Sequence, residues 1–294
     1  MVLGNLESSI DIRSFSAETP NQPPELSFDI HEMVREEDWS KMMAALDLFR
    51  EHDNPKDLLE LAKGMKLAFP ERAEEFEKFK DYLHSKFRGS TPNFGMHDFS
   101  LYEPFVLNRE RLKFLYPDIN ISDNDDYMFL ARYVEKISSS VSNVALNTDS
   151  LWLLVRIKLL FPEEYKSEDL KQYVNDDLWH RTEKYLNGLR DKKVWFLFID
   201  IAARAAMLFS SKYKVAITPK EWAEIKSICA NIKPEINLAG SGTTRNIFIE
   251  TAGNMRLLTA KKVEIANGKL EVIYPSGNGN ISSGDPPFPT ERTF

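Results

Sequence analysis

One phrase recurs along this chain and constrains its fold more than any other feature. Leu67-Ala68-Phe69-Pro70-Glu71 returns as Phe114-Leu115-Tyr116-Pro117-Asp118 and as Leu159-Leu160-Phe161-Pro162-Glu163. A degenerate copy stands at Met207-Leu208-Phe209-Ser210. The terminal aromatics are spaced by 47, 45 and 48 residues. A fixed period of that size is the signature of a helical repeat array.

Each unit reads as two helices. The second helix carries apolar residues at helical spacing, as in Leu58, Leu61, Met65 and Phe69, or Leu154, Ile157 and Phe161. Pro70, Pro117 and Pro162 end it, because proline cannot donate to the helix and turns the preceding residue away from α geometry. The first helix carries an aromatic. Tyr82, Phe129 and Trp222 each follow a terminal aromatic by 13 residues, whereas Trp179 follows by 18. Trp39 to Phe69 and Trp179 to Phe209 are both 30 residues. The pattern predicts about five first helices and four second helices. Phe69, Tyr116, Phe161 and Phe209, with Trp39, Trp179 and Trp222, are the expected repeat core. Paired helices that cannot bury their stripes alone must stack. The expected fold is therefore mostly α, a right-handed solenoid-like stack ending in a small antiparallel β segment.

The chain divides by composition. Residues 1–26 are polar, with Pro20, Pro23 and Pro24, and read as a mobile leader. The helical repeat domain is expected over 27–236, interrupted by a long irregular connection at 84–104 that holds Gly89, Pro92, Gly95 and Pro104. Residues 237–244 read as a Gly/Ser/Thr linker and 245–274 as a β segment. Its runs are Ile247-Phe248-Ile249, Met255 to Thr259, Val263 to Ile265 and Leu270 to Tyr274. Asn267-Gly268 between the last two runs is a strong hairpin signal. Residues 275–294 read as a disordered tail.

The net charge of −7 is uneven: residues 1–244 carry −8 and residues 245–274 carry +2. Phosphate backbones are bound mainly through Lys and Arg. An acidic body therefore argues against a nucleic-acid partner. Cys229 is the single cysteine, so it makes no internal disulfide and no zinc site alone. No two histidines stand at i,i+4, and no Gly-x-Ser-x-Gly element or Rossmann fingerprint occurs. Gly240 to Thr244 lacks the lysine of a phosphate loop. No catalytic, metal or cofactor residue is assigned. The longest apolar run, Val194 to Ile199, is too short to span a membrane. Without a secretory signal the chain is expected in the cytoplasm.

Two cationic rows follow the repeat. Arg111, Arg156 and Arg204 lie five residues before their terminal aromatics, and Lys66, Lys113 and Lys158 lie three before. Residues two apart on a helix point about 200° apart, so the rows cannot share a face. One row is expected toward solvent and the other toward a neighbouring helix or groove. As a ligand surface, the arginines would fork onto carboxylates or phosphates. As structure, they would form inter-helix salt bridges such as Asp200 with Arg204.

Over residues 30–232 the period, the paired helices and the Leu/Phe-x-Phe/Tyr-Pro phrase resemble HEAT-like α-helical repeat proteins. The resemblance implies a scaffold or partner-binding role. The expected function is thus a non-enzymatic protein-binding module. The alternative is a helical-repeat enzyme or nucleic-acid-processing protein with an Arg-lined groove.

Overall fold

A computed structural model describes residues 28–88, 99–121, 124–139, 144–166, 170, 172–209, 215–231 and 242–274. The leader 1–26, the tail 275–294 and residues 237–241 of the expected linker lie outside these. Among the described residues there are twelve α-helices and one two-stranded sheet. They are α1 Ile30–Met33, α2 Glu36–Glu51, α3 Pro55–Ala68, α4 Lys80–Phe87, α5 Phe99–Leu115, α6 Asn124–Ser139, α7 Val144–Leu160, α8 Pro162–Tyr165, α9 Asp176–Asp191, α10 Trp195–Phe209, α11 Pro219–Asn231 and α12 Gly242–Leu258. A 3-10 helix, Pro70–Phe79, follows α3, and the hairpin β1 Lys262–Ala266 and β2 Lys269–Ile273 follows α12. None of these helices is long and apolar enough to cross a membrane.

The repeated phrase ends helices as its chemistry dictates. Phe69 and Phe161 leave the helix at φ −133°, ψ 70° and φ −129°, ψ 62°. The following Pro70 and Pro162 each occupy the first position of the next helix, where a missing N–H costs nothing. Phe69, Tyr116, Phe161 and Phe209 are all buried, as are Trp39, Trp179 and Trp222. The two 30-residue offsets bring like to like: Trp39 meets Phe69 edge-on at 5.1 Å, and Trp179 meets Phe209 edge-on at 5.4 Å. Tyr82 and Phe129 are only half-buried, and the Tyr82 hydroxyl donates to Asp53.

Two local expectations are corrected. The 84–104 connection is shorter than its glycines and prolines suggest, because α4 runs to Phe87 and α5 begins at Phe99. Residues 242–258 are a helix, not linker and strands. The runs Ile247 to Ile249 and Met255 to Leu258 read as strands because α12 is apolar on several sides, and it is so because helices pack around it. From Lys262 onward the hairpin matches expectation. Val263 pairs with Val272 and Ile265 with Leu270. Asn267 and Gly268 take positive φ, +49° and +73°, at the turn.

The helix α12 changes the arrangement of the whole. It supplies a fifth second helix, and the five inner helices α3, α5, α7, α10 and α12 each pack on the next. An open stack would hold its first and last units apart. Here α12 packs back along α3, closing the circuit. The contact is close enough to require glycine. A Cβ on Gly64 would lie 2.7 Å from Ile249 Cγ2, and one on Gly253 would lie 3.0 Å from the Ala68 backbone N. Gly64 occupies the register position that holds arginine in the next three units, five residues before the terminal aromatic.

Candidate functional site: a buried ion network inside the helix circuit

The arginine row points into the circuit. Arg111, Arg156 and Arg204 are all buried, at 7%, 1% and 6% exposure. The helical register that turns them inward also turns in the residue one place earlier, which is Lys63 in α3 and Glu110 in α5. Glu110 is buried at 3% exposure. Arg156 Nε donates to Glu110 Oε2 at 2.9 Å, and Arg204 Nη1 lies 3.9 Å from Glu110 Oε1. Arg204 Nε also donates to Asp200 Oδ1 at 3.2 Å, one helical turn earlier, which is the salt bridge expected from spacing. Its guanidinium lies 3.9 Å from the Trp152 ring centroid. Lys63 Nζ donates to Glu250 Oε1 of α12 at 3.0 Å. Arg111 Nη2 faces Glu60 Oε1 at 3.3 Å, and its charge also acts on Glu250.

The electrostatics follow from this crowding of opposite charges. Burial opposes ionisation of Glu110, but Lys63, Arg156 and Arg204 outweigh it and hold the carboxyl below its ordinary value. The same contest at Glu250 ends at about 2, with Lys63 and Arg204 the main cations. Arg204 is desolvated, yet Asp200, Glu110 and Glu250 hold it above its usual value. Glu110 and Glu250 are therefore ionised and Arg204 is protonated at neutral pH, opposite charges facing one another across the network.

A cavity of about 20 Å³ lies against the network, with Lys63, Glu110, Asp200, Arg204, Glu250 and Asn254 on one side. Ile265 and Leu270 of the hairpin close the other side. That volume accommodates about one water and no organic substrate. Among the described residues no cluster of His, Cys, Asp and Glu could hold a metal ion. Cys229 is buried against Met255, and burial pushes its thiol up to about 11, which makes it a poor nucleophile.

The lysine row does not point to solvent either. It is half-buried and bonds to backbone carbonyls. Lys66 Nζ of α3 donates to the carbonyls of Phe114 and Leu115, the last two residues of α5. Lys158 Nζ of α7 donates to Met207 and Leu208 near the end of α10. Lys113 donates to the Ile119 carbonyl in its own following turn. Arg256 of α12 donates to Ala68 at the end of α3. Each helix C-terminus leaves carbonyls without intrahelical partners and carries partial negative charge, so a cation from a neighbouring helix is a favourable cap.

Sequence reasoning found the arginines and the Asp200 partner of Arg204, but missed Glu110 and Glu250. Glu110 and Glu250 occur once each rather than in every unit, so the repeat does not point to them. The position of Glu110 is held by Lys63, Val155 and Ala203 in the other units. No family model, no curated protein and no solved structure matches this chain.

Proposed function

We propose that this chain is a non-enzymatic binding module whose interior charges serve its fold and whose outer surface engages a protein partner. The observation that carries the reading is that every carboxylate lining the cavity is already paired. Glu110, Asp200 and Glu250 each face a basic group, and the cavity beside them has room for about one water. Acyl or phosphoryl transfer needs a space about 3 Å from both a nucleophile and a charge-stabilising donor, into which a reacting atom fits. The cavity beside this network is too small to be such a space. The acidic body, −8 over residues 1–244, suits a partner with a basic face better than a polyanion.

A second reading, an enzyme with an Arg-lined groove, draws on Glu110 lying between Arg156 and Arg204. One comparison separates the two. Glu110→Leu with Arg156→Met replaces the buried pair by apolar groups of similar volume, which proteins often tolerate. Both versions of the full chain would be immobilised and used to capture partners from the native cell. The binding reading expects the same stoichiometric protein partner from both. Loss of function in the doubly substituted chain, with its melting transition intact, would move the function into the interior.

A further inference from the structure

The hairpin and the ion network meet across the cavity, and they are held in very different ways. The network belongs to helices that pack side by side around the circuit. The hairpin lies over the ends of those helices: the cavity rim includes Leu67, Phe114, Leu159 and Met207, all in the last turns of α3, α5, α7 and α10. Its inward face is apolar. Val263 and Ile265 are buried, while Leu270 and Val272 are only half-buried. Its polar attachments, Lys269 to Asp118 at 2.9 Å and Lys166 to Asn267 at 3.3 Å, are exposed. Exposed pairs of this kind hold little. A two-stranded ladder is marginal on its own, and among the described residues β2 pairs with no strand but β1.

The tip has a specific seat. Gly268 is buried at φ +73°, and a Cβ there would lie 2.8 Å from the Leu159 carbonyl oxygen at the end of α7. The turn therefore rests on the helix backbone with no side chain between. Lifting the hairpin breaks this seat, two surface contacts and one apolar face. Lifting any inner helix breaks the packing of the circuit. Local opening draws on the elements with the fewest buried contacts.

We propose that the hairpin Lys262–Ile273 is a lid, which opens about the Thr259–Lys261 joint while the five inner helices stay folded. Opening widens solvent access to Lys63 and Glu250, which are already partly exposed, and extends it to the buried Glu110 and Arg204. Closure reduces that access and strengthens the ion pairs beside the cavity through the lower local dielectric. The Gly268 seat is the latch.

Thiol labelling of the full chain tests this. Cys229→Ala removes the native thiol, and Val155→Cys places a reporter in the cavity wall, where Val155 is 2% exposed. A lid predicts that below the unfolding transition the labelling rate rises with urea far less steeply than global unfolding does, because only the hairpin face is exposed. Gly268→Ala should raise that rate by about tenfold, since the added methyl meets backbone. The melting transition and amide exchange in α3 and α7 should stay as they were. A rate that climbs with urea in step with global unfolding, or one that Gly268→Ala leaves unchanged, would overturn the lid. Should Gly268→Ala fail to fold, Leu270→Ala, which trims the apolar face of the hairpin against the cavity, replaces it: faster labelling supports the lid and an unchanged rate overturns it.

Discussion

Glu110 is the residue on which the interior balances. It is shared between Arg156 and Arg204, both buried, so its removal takes a carboxylate from each and leaves Arg204 with Asp200. Breaking a buried pair from one side costs roughly 3–5 kcal/mol. Glu110→Gln should therefore lower unfolding stability by about that much in urea titration. The paired change Glu110→Leu with Arg156→Met should recover most of the loss, because no charge is left unpaired. Glu250 gives the same network a pH dependence. Its folded value of about 2 lies below that of an unfolded glutamate, about 4.3. The unfolded state then binds the extra proton first, so stability is complete above about pH 5 and falls as the pH drops toward 2. The difference is worth up to about 3 kcal/mol, reduced because Glu250 is 28% exposed. In acid titrations Glu250→Gln should flatten the stability profile between pH 5 and 2. An equally steep profile would assign the loss to other carboxylates.

Among the elements, α12 decides the architecture, and it was the least legible. The ends of α3, α5 and α7 are written locally, in an aromatic followed by proline. The hairpin is written locally too, in Asn267-Gly268 between alternating runs. The helix α12 lacks the phrase, and its burial against several helices gives it apolar runs that imitate strands. Its contact with α3 joins residues about 185 apart, for which no local signal exists. The clue lay in an exception: the arginine register begins with Gly64, which leaves room for Ile249 and Glu250. The arginines were legible as a row, but their burial followed only from the closed circuit. Gly253 makes the reciprocal approach, with Leu67 Cβ at 2.9 Å and the Ala68 backbone N at 3.0 Å from an added Cβ. Overpacking of this kind costs roughly 1–3 kcal/mol. Gly253→Ala should thus lower the melting temperature clearly, even though alanine favours helix more than glycine does. In contrast, Gly188→Ala meets nothing within 4 Å on α9 and should raise stability slightly.

At the scale of the whole molecule, closure makes the last helix as necessary as the first. In an open repeat array each unit contacts only its neighbours, so a terminal unit can be removed and the remainder still folds. In a closed circuit the removal exposes two inner faces at once. Here they would be the face of α3 that receives Gly253 and the face of α10 that packs on α12. Phe248, Ile249, Ala252 and Met255 of α12 are all at 3% exposure or less. Three of these are large, and each such side chain contributes roughly 1.5–3 kcal/mol on burial. Their sum is comparable to the whole stability of a typical domain, about 5–15 kcal/mol. The truncation would also leave Lys63 without its carboxylate and the Ala68 carbonyl without Arg256. A chain ending at residue 241 should therefore lose its cooperative thermal transition, as read by calorimetry. The full chain should melt as one unit through a single transition that includes the hairpin's helix. A truncated chain that melts sharply, within a few degrees of the full one, would mean that four units hold together alone and that α12 is an attachment to a finished body.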